Sequence, residues 1–132
     1  MLSYKNVNVN PKNRKTGDCS TRALANVLGI SWEEALFLQY KKSLETKYDI
    51  TSREVVERVL NDFGYMKIKQ PRKSSGLKYK IRELDAILSS KNLNSGVLVT
   101  CAHHYSVVRG SYVEDIWNCG MKTVGNYYVK RI

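Results

Sequence analysis

A chain of 132 residues with 42% hydrophobic and 26% charged side chains has the make-up of one globular domain, here residues 1–132. No apolar run reaches the roughly 18–20 residues of a membrane span, and three cysteines (Cys19, Cys101, Cys119) do not make a disulfide scaffold. The abnormal quantity is charge: 22 Lys and Arg against 12 Asp and Glu leave a net +10, a field that draws polyanions.

The opening segment has no apolar stretch of the signal-peptide kind, so reduced thiols in a cytoplasm are the expectation. Residues 1–12 alternate loosely and read as an extended N-terminal arm, ended by a turn at Asn10-Pro11. Asp18 then stands as N-cap of a helix running from Cys19 to Leu28, with Ala23, Leu24, Val27 and Leu28 on one face and Gly29 closing it. Ser31-Trp32-Glu33-Glu34 is a capping box for a second helix reaching about Leu44. Thr51-Ser52-Arg53-Glu54 is another, opening a helix that buries Val55, Val56, Val59, Leu60 and Phe63 and stops at Gly64.

Residues 65–69 read as a short strand, 70–78 as a loop, and Ile81, Leu84, Ile87 and Leu88 as one more short helix. The last third changes period. Four β-branched and aromatic runs, 97–101, 103–108, 112–117 and 123–129, predict a small antiparallel sheet. Helices first and strands after predict an α+β domain.

Three residues in this layout suggest chemistry. Cys19, in the first turn of a helix, feels the positive end of the helix dipole, which favours the thiolate that a nucleophile needs. His104 lies on a predicted strand. If Gly110-Ser111 is a two-residue hairpin loop, facing residues sum to 221, so His104 faces Trp117, Ser106 faces Asp115, and Asp115 shares the His104 face one diagonal step away. A three-residue loop would reverse that result. A thiol, an imidazole and a carboxylate so arranged form a nucleophile, a base and a group that orients the base.

Thr16-Gly17-Asp18-Cys19, Arg22-Ala23, Gly29-x-Ser31-Trp32-Glu33-Glu34-Ala35, His104 and Asp115-Ile116-Trp117-Asn118 together resemble small papain-like cysteine-peptidase-fold proteins of bacteriophages and mobile elements. The resemblance implies a papain-like fold with Cys19 as nucleophile, His104 as base and Asp115 as orienting acid. It implies cleavage of an amide or isopeptide bond of a peptide or protein substrate, with no cofactor, in the host cytoplasm if the chain is phage-encoded. By the same resemblance the amide six positions before the nucleophile serves the oxyanion; here it is Asn13, where glutamine is usual, with Asn10 as a competitor. His103 beside the base is a second departure, and a regular strand over 103–108 would point it away from Cys19.

Two other readings compete. Cys101, His103, His104 and Cys119 are ligand types for zinc, but their spacing matches no ribbon or finger, and a metal ranks below the triad. Cys101 reads as a core strand residue and Cys119 as a turn thiol without a task. From Tyr65 to Arg82 there are seven basic residues and no acidic one. Lys67, Lys69, Arg72 and Lys73 are therefore candidates to bind an anion, with Gly76 in a mobile loop. Either nucleic acid, held weakly, or an acidic host protein would fit that surface. A non-catalytic binding protein on the same scaffold is the alternative function.

Overall fold

The computed structural model describes residues 1–131 and shows a mixed α+β domain. Its elements are β1 (Ser3–Asn6), α1 (Cys19–Leu28), α2 (Trp32–Thr46), α3 (Arg53–Asp62), β2 (Tyr65–Ile68), a 3-10 helix (Ile81–Ala86), α4 (Ser90–Ser95), β3 (Val97–Cys101), β4 (His104–Arg109), β5 (Tyr112–Asp115) and β6 (Tyr127–Lys130). No helix among the described residues is long and apolar enough to cross a membrane.

One six-stranded sheet in the order β1-β5-β4-β3-β6-β2 organises the molecule. Alternation along its strands divides the core in two. Leu98, Val107 and Tyr128 point to one face, where they meet Leu24 of α1 and Val56, Val59 and Leu60 of α3. Val97, Val99, Val108, Val113 and Val129 point to the other, under Leu2 and under Ile81 and Leu84 of the 3-10 helix. Leu24, Leu60, Leu84 and Leu98 are fully buried, and truncating any of them to alanine should cost about 2–5 kcal/mol.

The sheet is larger than the predicted C-terminal one, and it is mixed. The N-terminal arm supplies β1, which runs parallel to β5 with Asn6 opposite Asp115, and Leu2 is buried. β2 closes the other edge against β6. The predicted 123–129 strand begins only at Tyr127; Thr123 instead bridges Lys80, and at Gly125 the backbone runs so close to β3 that an added Cβ would lie 2.7 Å from Thr100 Oγ1.

The local signals account for most helix ends. Gly29 takes the left-handed conformation at φ 68 that only glycine adopts cheaply. Ser31 accepts from the Glu34 N–H. At α3 the cap is Ser52, not Thr51: Ser52 accepts from Val55 N–H, while Thr51 bonds Asp49. Asp18 makes no side-chain cap at all. The segment 81–88 is a 3-10 helix with Ile87 37% exposed, and α4 is not apparent from the apolar spacing. α2 is apolar on both sides: Ala35 faces the core, while Phe37, Tyr40 and Leu44, at i, i+3 and i+7, are 65%, 56% and 71% exposed.

Candidate active site

The two-residue Gly110-Ser111 loop sets the register of β4 and β5. Arg109 pairs with Tyr112, Val108 with Val113 and Val107 with Glu114, so each pair sums to 221 as the shorter turn requires. His104 and Asp115 consequently share a face, and His104 Nε2 lies 2.6 Å from Asp115 Oδ2. Glu114 points the opposite way, to Arg109 and Asn26.

Asp115 is held on every side. The Ile116 N–H donates to its Oδ1 at 2.7 Å, and Ser106 hydrogen-bonds the carboxylate. Its backbone carbonyl accepts from Val7 N–H at 2.9 Å and from Tyr4 Oη–H at 3.1 Å. The arm that read as a loose extension therefore anchors the strand end carrying the acid. Trp117 covers the pair, with its ring centroid 4.9 Å from that of His104.

With Nε2 committed to Asp115, Nδ1 is the ring nitrogen left for Cys19. Burial alone would raise the Cys19 thiol, but hydrogen bonds from His104 and from the Tyr105 backbone, with the charges of His104 and Arg22, hold it below its ordinary value. Burial works against the His104 imidazolium too. Asp115 first, then Cys119 and Cys19, outweigh that and raise it well above the usual histidine range. Asp115 is raised by burial and lowered more strongly by His104 and Ser106. Those shifts favour a Cys19 thiolate, a His104 imidazolium and an Asp115 carboxylate. By contrast, burial pushes Cys101 up to about 11.

The residues around Cys19 explain the sequence motif. Asp18 does not cap α1; its carboxylate is taken by Arg22, by Asn10 Nδ2 at 3.0 Å and by Trp32 Nε1 at 2.9 Å. These four residues form one clamp between the arm, α1 and α2. Gln39, fully buried, adds a second tie by bonding Thr21, Ser20 and the Ile50 carbonyl. Because no side chain caps α1, the N–H groups of its first turn stay available beside the thiol.

Cys19 opens on a cleft of about 580 Å³, walled by the starts of α1 and α3 and by the β3–β4 turn. Ser20, Thr51, Arg53, Glu54, His103 and His104 line it. Asn13 does not. It is exposed, with φ 54, in the loop before α1, and among the described residues only its backbone N–H is engaged, by the Asn10 carbonyl. Asn10 in turn is spent on Asp18 and on Lys12 N–H. His103 is not in the strand: it sits in the turn at φ 56 and lines the cleft on the Cys19 side.

Cys119 is the residue that sequence reasoning misses. It is fully buried, its Sγ 3.3 Å from Ser106 Oγ and 3.5 Å from Asp115 Oδ2, so its thiol bonds behind the His–Asp pair. His104, Asp115 and Cys119 offer ligand atoms all within 4.8 Å of one another. Two ligands on one tetrahedral zinc at about 2.0–2.2 Å stand roughly 3.3 Å apart, so an ion here would have to part the 2.6 Å His104–Asp115 contact. The donor set fits a hydrogen-bonded relay better than a metal.

The basic segment is less free than its sequence implies. Lys73 Nζ pairs with Glu83 at 2.8 Å and Lys67 Nζ with Glu57 at 3.3 Å, both partners lying outside the run read as lacking acids. Lys69 and Arg72 are exposed. The loop is closed by Gly76 N–H to Lys73 carbonyl and Lys73 N–H to Leu77 carbonyl bonds, each 2.8 Å, and by an Arg72–Lys78 bridge. It is a tight turn.

No family model matches the sequence, and neither the curated proteins nor the solved structures hold a match to it.

Proposed function

We propose that this protein is a papain-like cysteine hydrolase that cleaves an amide or isopeptide bond in a peptide or protein. One observation carries the reading: the Cys19 thiol, lowered by His104, opens on a cleft while the far side of His104 is fixed by Asp115 at 2.6 Å. The order of the three groups along the chain supports the papain-like assignment, and with it a phage or mobile-element origin and a site of action in the host cytoplasm.

In this reaction Cys19 Sγ attacks the carbonyl carbon, forming a C–S bond as the carbonyl pair moves onto oxygen. The first-turn N–H groups of α1, in the uncapped position next to the thiol, receive that oxyanion. Collapse expels the amine, which takes its proton from the His104 imidazolium. Water then attacks the thioester, His104 accepts its proton, and the acid leaves as the Cys19 thiolate is restored. Asp115 keeps the charged ring in one orientation throughout. Another acceptor in place of water would make the same site a transferase.

Alkylation with iodoacetamide tests the reading without a known substrate. Cys19 should label much faster than Cys101 or Cys119, and His104→Ala should suppress that rate. Equal labelling of all three thiols in the folded protein would overturn it.

A second reading, a binding protein on this scaffold, is favoured by the Phe37-Tyr40-Leu44 stripe, an exposed apolar line along α2. On that reading Lys67, Lys69, Arg72 and Lys73 contribute a surface for an acidic host protein or for weak nucleic-acid binding. Cys19→Ala separates the two: a binding protein keeps its effect in the host and a hydrolase loses it.

A further inference from the structure

The cleft at Cys19 does not end at the β3–β4 turn. A second cleft of about 400 Å³ adjoins it, and the two share Arg53, Thr100, Cys101 and His103 as a common wall. Beyond that wall the second cleft is lined by Gln70 and by residues 123–125. Among the described residues lining it there is no carboxylate, and Arg53 is its only Arg or Lys. The one acid of the whole groove, Glu54, lines the Cys19 side alone.

Two polar residues on the shared wall, Arg53 and His103, each break a local rule. Arg53 is the first residue of α3, where the helix dipole disfavours a cation. His103 holds φ 56 in the turn between β3 and β4, a position that suits glycine. Neither is in an ion pair among the described residues; Arg53 hydrogen-bonds the Tyr105 hydroxyl, and both Arg53 and His103 are exposed and line the groove. Locally unfavourable residues that meet at one wall of a cleft beside an activated thiol point to a ligand as the reason for them.

From this placement we infer that the second cleft is a subsite for an acidic side chain of the substrate, with Arg53 as its charge partner and the His103 ring as a further donor. The substrate is then a peptide carrying Asp or Glu close to the scissile bond. Arg suits the task because its guanidinium grips a carboxylate by two parallel N–H bonds. The inference rests on the hydrolase reading, since it needs the chain of the substrate to pass Cys19.

A pair of acetyl-dipeptide chloromethyl ketones, one with Glu and one with Gln beside the reactive residue, tests it. Each is attacked by Cys19 Sγ, which forms a thioether and releases chloride, and each rate is divided by the same variant's iodoacetamide rate. The wild type should prefer the Glu probe by roughly tenfold, the size of a charge-assisted hydrogen bond. Arg53→Gln should abolish the preference, and Arg53→Glu should shift it to a Lys probe. That reversal is a gain which a misfolded variant cannot mimic.

Selective iodoacetamide labelling of Cys19 without a Glu preference, or with one that survives Arg53→Gln, would overturn the subsite and leave the hydrolase standing. Absence of selective labelling at Cys19 would remove both.

Discussion

Replacing Asp115 by asparagine probes the electrostatics of the site with almost no change of shape. In the native protein His104 Nε2 donates to one carboxylate oxygen at 2.6 Å and Ile116 N–H donates to the other at 2.7 Å. An amide has only one acceptor end, so one of those two donors must face the NH₂ group. A hydrogen bond to a charged group is worth about 1.5–3 kcal/mol and a neutral one about 0.5–1.5, so between the midpoints of these ranges the His104 imidazolium loses on the order of 1 kcal/mol, close to one pH unit. Cys19 owes its lowered value first to His104, so the loss passes on to the thiol.

The sign follows from the thiolate being the reactive form. Alkylation of native Cys19 should rise with pH through its lowered value and level off before the range near 8.5–9 where ordinary thiols titrate. In Asp115→Asn the rise should move up by about one unit, leaving the rate on the rising limb, below the native midpoint, about tenfold lower. Iodoacetamide kinetics from pH 5 to 10, read by peptide mass mapping, measure this. Cys101, buried and pushed up to about 11, is the internal reference that should stay unlabelled. A native Cys19 profile with an ordinary thiol midpoint would refute the reasoning. So would a folded Asp115→Asn variant whose profile superimposes on the native one.

Three further outcomes follow from the packing around the site. Cys119→Val removes the thiol that bonds Ser106 and Asp115, and should slow Cys19 alkylation about threefold to fivefold and shift its pH midpoint up, whereas Cys119→Ser, which keeps a donor, should restore both. His103→Gly should raise the urea midpoint, gaining about 0.5–1 kcal/mol from relief of the left-handed conformation at φ 56; a lowered midpoint would show the turn to be unstrained. Charge reversal at Lys69, Arg72 and Lys78, which form no ion pair among the described residues, should weaken retention on a DNA column and reduce the log–log salt slope by about 0.7–0.9 for each phosphate no longer neutralised; unchanged elution would mean a solvated face.

What could be read from the sequence was set by local physics. The β4–β5 register was legible because a two-residue loop fixes the parity of every pair beyond it, and a slip of one residue would have sent Asp115 to the Glu114 side. Gly29 and Ser31 were legible because a helix end needs its carbonyls and N–H groups met within a few residues. β1 was not legible as sheet. It pairs with a strand more than a hundred residues away, and only buried Leu2 gives it an apolar signal. The pairing of Lys67 with Glu57 and of Lys73 with Glu83 escaped for a related reason: charge runs are read along the chain, while ion pairs form across it.

The site shows the same division more sharply. Cys19, His104 and Asp115 stand on regular elements, so capping and strand parity bring them within reach of recognition, and the His104–Asp115 contact follows from them directly. Some of the groups around these three stand on irregular chain. Cys119 follows the end of β5 and Asn10 precedes α1, so no period relates either to the residue it touches. Asp18 makes the point from the other side. Its position satisfied every rule for an N-cap, yet Arg22, Asn10 and Trp32 compete for the same carboxylate and win, since a buried cation left unpaired costs far more than a helix cap returns. The uncapped N–H groups that result lie beside Cys19, where, on the proposed hydrolase reading, a developing oxyanion would need donors that no side chain has already taken.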